Sequence, residues 1–285
     1  MPAETVRRAL ASHWFDRFAR FGYAAKGMAF GVVGLLAARV ALGQSQEQAD
    51  FPGAFAEIGE QPLNAVLLIV LAAGLFAYSG WRIVQGVADV GGEGTGVKGW
   101  VKRGGYVLVG LSYGVLAVYA AGILAGWSTD DGEIRDWTAS VLAWPFGQWL
   151  VGLASALVLG SGVVELYFAF SRTFEVELGS DDVNRFERFC LLCTGWYGHA
   201  ARGVVYSAAG VFAIRAAVQF DPDAARGLAE TFRELAAQPY GAWIVGFIAA
   251  GFVAFGAYCV LLAFHRHIPN EGLMQGQDAR PGRNE

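Results

Sequence analysis

The sequence repeats one short phrase three times: "GYAAKGMAFG" at 22–31, "GYVLVGLSYG" at 105–114 and "GHAARGVVYS" at 198–207. The central glycines of the three copies are 83 and 93 residues apart. All three copies lie inside long apolar runs, and two of them carry a cation. Self-similarity at a fixed spacing is the signature of a repeat architecture. The chain is therefore predicted to consist of three related units.

A second pair of stretches supports the same division. "WPFGQWLVGLASALVLGSGVVELYFAF" at 144–170 aligns without gaps on "QPYGAWIVGFIAAGFVAFGAYCVLLAF" at 238–264. Pro62, Pro145 and Pro239 then fall in register, 83 and 94 residues apart. Proline fits the first position of a helix, because its missing N–H has no partner there. Each unit is predicted to be a helical hairpin whose second helix opens at the proline.

Composition places these hairpins in a membrane. Of the 285 residues, 55% are hydrophobic and 16% are charged, whereas soluble domains carry about 25% charged residues. Six apolar segments are long enough to cross a bilayer, which takes roughly 20 residues: 21–42, 62–88, 103–126, 145–170, 198–219 and 239–264. The predicted fold is an all-α integral membrane protein, with six transmembrane helices arranged as three repeated hairpins in a pseudo-threefold bundle.

Amphipathic patterns and polar stretches set the remaining boundaries. The start of the chain and the segment 181–197 carry apolar residues every three to four positions opposite arginines, which is typical of interfacial helices. The predicted divisions are an interfacial helix at 1–20, repeat 1 at 21–88, repeat 2 at 98–170, repeat 3 with its own interfacial helix at 181–266, and a polar, disordered tail at 267–285. The first twenty residues lack the apolar core of a signal peptide.

Charge placement predicts the orientation. The loops at 43–61, 127–144 and 220–238 contain twelve acids and three arginines. Most of the lysines and arginines lie in the other connections and in the two terminal segments. The positive-inside rule then places both termini in the cytoplasm, which an even number of spans also requires. The expected location is the inner membrane of a bacterium.

The pattern of these units resembles the bacterial membrane family called domain of unknown function 1206, over about residues 14–266. The stretches "ARGVVYSAAG" at 201–210 and "VELYFAF" at 164–170 are its most typical parts. The resemblance implies a bacterial inner-membrane protein with three two-helix repeats and brings no established activity. The second copy departs from the pattern, because Val109 stands where the others have Lys26 and Arg202.

Charged side chains inside the predicted spans are the candidate functional residues. Helix depth places Lys26, Arg82, Glu165 and Arg202 in one layer at the cytoplasmic end, and a pseudo-threefold bundle would bring Glu165 close to a cation. His199 joins this candidate layer, although an interfacial ring replacing Tyr23 and Tyr106 is its simplest interpretation. Such a layer serves either as snorkelling cations and ion pairs that set helix register, or as a site for an anion, a lipid headgroup or protons.

Two further residue sets were considered. Small residues that allow close helix contact recur in the first helices: Gly27, Gly31, Gly34, Gly110, Gly114, Gly203 and Gly210. Cys190, Cys193 and Cys259 with His199 have the composition of a zinc site, but reduced thiols near the cytoplasmic face are the simpler interpretation. The histidines lack the spacing expected for haem. No metal, no cofactor and no nucleic-acid partner are predicted.

Two classes of function remain open from the sequence. The first is a non-enzymatic membrane protein that binds a protein partner or a lipid, self-associates or stabilises an assembly. The second is a small transporter or channel for an ion or small anion, using the charged layer. Repeats are common in transporters, but here all three repeats have the same orientation. We rank the binding protein first and an enzyme last, because no nucleophile motif or carboxylate pair is present.

Overall fold

The computed structural model describes residues 13–44, 49–90, 92–126, 133–171, 184–221 and 227–265, with backbone only for 13–16, 133–137 and 265. Within these ranges the chain is helical, without strands. The helices are α1 His13–Ala41, α2 Phe51–Glu60, α3 Asn64–Val87, α4 Val97–Leu124, α5 Glu133–Leu142, α6 Gly147–Ser171, α7 Arg185–Gln219, α8 Leu228–Ala236 and α9 Gly241–His265. Six of them (α1, α3, α4, α6, α7 and α9) are long and apolar enough to cross a membrane. The predicted all-α membrane fold is confirmed.

Each repeat contains a short helix where the sequence predicts a loop. These are α2, α5 and α8, one between the two long helices of each unit. Asp50 caps α2 by accepting a hydrogen bond from the backbone N–H of Gly53 at 2.8 Å, as is usual for Asp at a helix start. Phe55 in α2 and Phe232 in α8 occupy equivalent positions, and both are fully buried. α2 and α8 thus cover the end of the bundle opposite the termini.

The prolines lie just before the second helices rather than inside them. α3, α6 and α9 begin two residues after Pro62, Pro145 and Pro239. The intervening residue in each case has a left-handed backbone, with φ of 68°, 67° and 62° at Leu63, Phe146 and Tyr240. This repeated turn reverses the chain before the helix starts, so proline terminates the connection and does not open the helix.

The predicted interfacial helices are not separate elements in the described residues. α1 runs from His13 through Ala41, and α7 runs from Arg185 through Gln219, without a break at residues 20 or 197. Gly22 and Gly198 follow those expected junctions. They act as packing contacts, because a Cβ at either position would lie within 3 Å of Tyr78 or Phe255 respectively. Residues 1–12, 181–183 and the predicted tail at 267–285 lie outside the described part of the chain.

The six long helices form a ring built by contacts between repeats. The second long helix of each repeat packs against the first long helix of the next: α3 on α4, α6 on α7, and α9 back on α1. The last contact closes the ring between repeats 3 and 1. This cyclic arrangement is the packing expected of a pseudo-threefold bundle.

Glycines make these contacts close. A Cβ on Gly27 would lie 2.6 Å from the carbonyl oxygen of Gly256. Its equivalent Gly110 packs on Ser79, whose hydroxyl donates to the Gly110 carbonyl at 2.7 Å. Five of the other predicted packing glycines also face a neighbouring helix within 4 Å: Gly34, Gly110, Gly114, Gly203 and Gly210. A Cβ on Gly31 would meet nothing within 4 Å, so its side-chain position is open.

The contact within repeat 2 breaks the symmetry. α1 packs on α3 and α7 packs on α9, but α4 and α6 scarcely touch. In repeats 1 and 3 an alanine meets a glycine across the pair, Ala25 with Gly74 and Ala201 with Gly251. Leucines occupy both equivalent positions in repeat 2, where Leu108 is 45% and Leu157 49% exposed. Two leucines hold the helices apart, because they need the space that a small pair leaves to the backbones.

Candidate functional site

Four helices supply the charged layer, which consists of Lys26, Arg82, Glu165, His199 and Arg202. Lys26 lies on α1, Arg82 on α3 and Glu165 on α6. His199 and Arg202 both lie on α7. Arg82 and Glu165 are equivalent in the repeat. They precede the ends of their helices by five and six residues, or about 8–9 Å. The layer therefore lies near the end of the bundle at which α1 begins and α9 ends.

Glu165 holds two basic side chains of the neighbouring repeat. Its Oε1 accepts from a terminal guanidinium nitrogen of Arg202 at 2.9 Å, and its Oε2 lies 2.5 Å from Nδ1 of His199. The exposed fractions of these side chains are 15% for Glu165, 8% for Arg202 and 10% for His199. The layer thus contains a buried ion pair braced by an imidazole.

His199 differs from its simplest sequence interpretation. It is a buried ring that contacts Phe168, Phe255 and Tyr258 edge to face and hydrogen-bonds Glu165, not an interfacial ring. The reason is the packing of α6 on α7, which turns the first-helix position of repeat 3 toward the second helix of repeat 2. The single-sequence pattern showed only that His199 replaces tyrosine.

Tyr78 joins the other two cations. Its hydroxyl oxygen accepts from Nζ of Lys26 at 3.0 Å and from Nε of Arg82 at 2.9 Å. Arg82 also donates to the hydroxyl of Tyr23 at 3.3 Å and to the side-chain oxygen of Gln85 at 3.0 Å. Since Tyr78 is fully buried, one phenol oxygen fixes two cations from two helices.

Aromatic rings enclose the cations. The Lys26 ammonium lies 4.7 to 5.4 Å from the centroids of three rings: Tyr78, Phe255 and Tyr113. The Arg202 guanidinium lies 4.1 to 5.1 Å from three: Phe255, Phe30 and Tyr206. Cation–π contacts of this kind contribute about 0.5–2 kcal/mol each. Phe255 is shared, so it separates the two cations while attracting both.

Lys26 lacks a negatively charged partner among the described residues of the charged layer. Glu165 is occupied by Arg202 and His199. Among the described residues Lys26 forms no ion pair, and its Nζ has one hydrogen-bond acceptor, the Tyr78 hydroxyl. The Nε of Arg202 is also buried without an acceptor there. A buried ammonium usually has a charged partner, since desolvation is otherwise costly. This end of the layer is therefore suited to an anion.

The cysteines do not assemble the zinc site considered from the sequence. Cys190 is half-buried, Cys193 is exposed and Cys259 is buried. Within the described ranges, no three side chains of the metal-binding types lie together. Cys259 is the repeat equivalent of Arg82 and Glu165, and its Cβ packs near Gly27. It fills space on the face of α9 that contacts α1.

The Phe and Tyr rings around the charged layer are contacts of the cations that the sequence did not predict. Phe30, Tyr113 and Tyr206 are repeat equivalents, but this equivalence indicated only core packing. Tyr78 and Phe255 are also equivalent, by the same offsets that align the prolines. A position-by-position comparison of α3 with α9 would have identified Tyr78 and Phe255 as equivalent aromatic residues.

Comparisons with known proteins find the same threefold division. The family described as Domain of Unknown Function (DUF1206) matches residues 21–89, 104–172 and 197–266. The chain is also 32% identical over 256 residues to an "Uncharacterized protein YxxB" of Bacillus subtilis (strain 168), which covers 90% of this chain and 92% of that protein. No solved structure matches. Three matched segments, and a relative aligned over nearly the full length, show that the chain belongs to the DUF1206 family.

Proposed function

We propose that this protein is a non-enzymatic membrane protein that binds the phosphate headgroup of an anionic phospholipid at the charged layer. The observation that carries the proposal is the buried ammonium of Lys26, which has no carboxylate partner in the described residues. Lysine is a common phosphate ligand. An anionic headgroup would supply the missing charge and a hydrogen-bond acceptor.

The orientation of the bundle favours a lipid as the source of that anion. With the termini on the cytoplasmic side, as the positive-inside rule predicts, the charged layer lies at the depth of the cytoplasmic leaflet. Anionic lipids give that surface a negative potential. The phosphate of such a lipid is present at this depth at high local concentration, so the layer needs no delivery route from solution.

The arrangement around Glu165 fits this binding role. Both of its oxygens are engaged, by Arg202 and His199, which holds the basic groups in place. The ion pair keeps α6 and α7 in register, and the shared Phe255 keeps Lys26 beside Arg202. The Glu165–Arg202 ion pair thus helps to position Lys26, the cation that would bind the ligand.

Replacing Lys26 by Met tests the proposal. We expect anionic phospholipid to bind at least about tenfold more weakly, because a charge-assisted hydrogen bond contributes about 1.5–3 kcal/mol. Native mass spectrometry of protein extracted in mild detergent, titrated with phosphatidylglycerol and with phosphatidylcholine, measures the retained lipid. Lipid-free stability should change little, because the variant loses the Tyr78 hydrogen bond and the ring contacts of Lys26 but also the desolvation cost of a buried, unpaired ammonium.

Lys98→Met is the matched control. It removes the same charge from an exposed position in the first turn of α4, and we expect phosphatidylglycerol retention to stay at the wild-type level. Lys26→Arg should restore much of the binding. Equal loss in both Met variants, or no preference of the unmodified protein for phosphatidylglycerol, would show that the layer does not select an anionic headgroup.

A further inference from the structure

We infer that the opening between α4 and α6 receives an acyl chain of the bound phospholipid. The inference rests on the proposed headgroup site and names the rest of the ligand. The starting observation is that repeat 2 is the one unit whose two long helices scarcely touch in the described structure. A ring that is closed elsewhere thus has one lateral opening, within the membrane.

The side chains that keep the opening wide are apolar. Leu108 and Leu157 stand where repeats 1 and 3 place alanine against glycine. One turn away, Gly105 is exposed and a Cβ there would meet nothing within 4 Å, whereas its equivalents Gly22 and Gly198 lie against the backbone and Cβ atoms of Tyr78 and Phe255. An acyl chain would fill the space that the second long helix fills in the other repeats.

The position equivalent to Lys26 and Arg202 strengthens this assignment. It is occupied by Val109, which is partly exposed on α4. The wall of the opening is therefore hydrocarbon at the level where the other two repeats place a cation. This substitution suits a hydrophobic occupant and would not suit a polar one.

The opening is continuous with the charged layer. Tyr113 on α4 forms one wall of the cage around Lys26, with its ring centroid 5.4 Å from Nζ. Glu165 on α6 holds Arg202. The two helices that flank the opening thus each contribute a side chain to the layer. Leu157 precedes Glu165 by eight residues on α6, or about 12 Å along the helix. A chain attached to a phosphate at Lys26 would run past the leucines toward the bilayer centre.

Charge argues against a second copy as the occupant. Within the six apolar segments the sequence has one acid, Glu165, and both of its oxygens are engaged by Arg202 and His199. A second copy packed against the opening would therefore bring no available carboxylate to Lys26. A phospholipid joins the anion that the layer lacks to the hydrocarbon that the opening accepts.

The test converts repeat 2 to the pattern of its neighbours with Leu108→Ala and Leu157→Gly together. This small pair should let α4 and α6 pack as α1 and α3 do. We expect retention of long-chain phosphatidylglycerol in native mass spectrometry to fall about tenfold or more. The closed helices would leave no space in which the acyl-chain methylenes of the lipid could be buried. Binding of dihexanoyl phosphatidylglycerol, which carries the same headgroup on short chains, should stay within about twofold of wild type.

The double variant Leu111→Ala with Leu153→Gly is the control. It makes the same two changes on the same helices. Leu111 is equivalent to Met28 and Val204, and Leu153 is equivalent to Val70 and Phe247. All four of these residues are exposed in repeats 1 and 3. These leucines are therefore assigned to the outer surface, and long-chain lipid retention should be unchanged in the control.

The outcomes separate this inference from the proposed function. If the Leu108/Leu157 variant retains long-chain lipid as well as the control does, the opening holds no acyl chain, while short-chain binding sensitive to Lys26→Met would leave the headgroup site intact. If the protein is a dimer that the Leu108/Leu157 variant alone dissociates, with lipid retention unchanged, a second copy fills the opening and the inference is overturned.

Discussion

Replacing Glu165 by Gln should destabilise the folded bundle by roughly 3–5 kcal/mol, the range expected when one partner of a buried ion pair is removed. Glutamine keeps the size of the side chain, so the packing of α6 on α7 is preserved. The guanidinium of Arg202, whose side chain is 8% exposed, then loses its counter-charge. The free energy of unfolding can be measured by titrating detergent-solubilised protein with dodecyl sulfate and following tryptophan fluorescence.

Glu57→Gln provides the control for this measurement. Glu57 pairs with Arg39 at 3.3 Å, but the side chains are 28% and 47% exposed. An exposed pair contributes at most about 1 kcal/mol, so the unfolding curve should move little. If Glu165→Gln behaves like Glu57→Gln, the buried pair does not hold α6 to α7.

A second substitution isolates the charge itself. Adding Arg202→Met to the Glu165→Gln variant removes the orphaned cation, and we expect the double variant to recover part of the lost stability. The coupling energy from the full double-mutant cycle should be clearly larger than the roughly 0.5 kcal/mol expected of independent sites. A purely additive result would mean that Glu165 stabilises the protein through His199.

The repeat made most of the fold accessible from the sequence. Aligned glycines and aligned prolines gave the same three units independently, and periodic apolar runs gave the six spans. Depth counted along the helices was enough to place Arg82 and Glu165 in one layer, and the cyclic order of units suggested that Glu165 would meet a cation. These inferences depend on helix geometry, which varies little between proteins.

The remaining features depend on side-chain partners that one sequence does not reveal. α2 and α8 are short, and each buries only three side chains, among them Phe55 and Phe232. Tyr78 accepts hydrogen bonds from both Lys26 and Arg82. To predict this, one must know which face of α3 meets α1. The opening in repeat 2 follows from one pair of leucines, whose meaning is clear only when Ala25 and Gly74 are seen in contact.

Gly27→Val should prevent the closure of the ring. A Cβ on Gly27 would lie 2.6 Å from the carbonyl oxygen of Gly256 and 2.8 Å from a methyl carbon of Val260. The first obstacle is backbone, so the helices α1 and α9 must separate before any branched side chain can enter. Overpacking costs about 1–3 kcal/mol where side chains can adjust, and we expect a larger loss here. The measurement is the dodecyl sulfate unfolding midpoint, with the monodisperse fraction on size-exclusion chromatography as a second readout.

Gly31→Val supplies the comparison on the next turn of the same helix. A Cβ there would meet nothing within 4 Å, and replacing a helical glycine recovers a few tenths of a kcal/mol in propensity. We therefore expect Gly31→Val to fold like the unmodified protein, while Gly27→Val loses most of its monodisperse fraction. Similar damage from both would mean that α1 tolerates no added volume along this face. Similar tolerance would mean that the α1–α9 contact does not close the ring, and the pseudo-threefold arrangement would then rest on the α3–α4 and α6–α7 contacts alone.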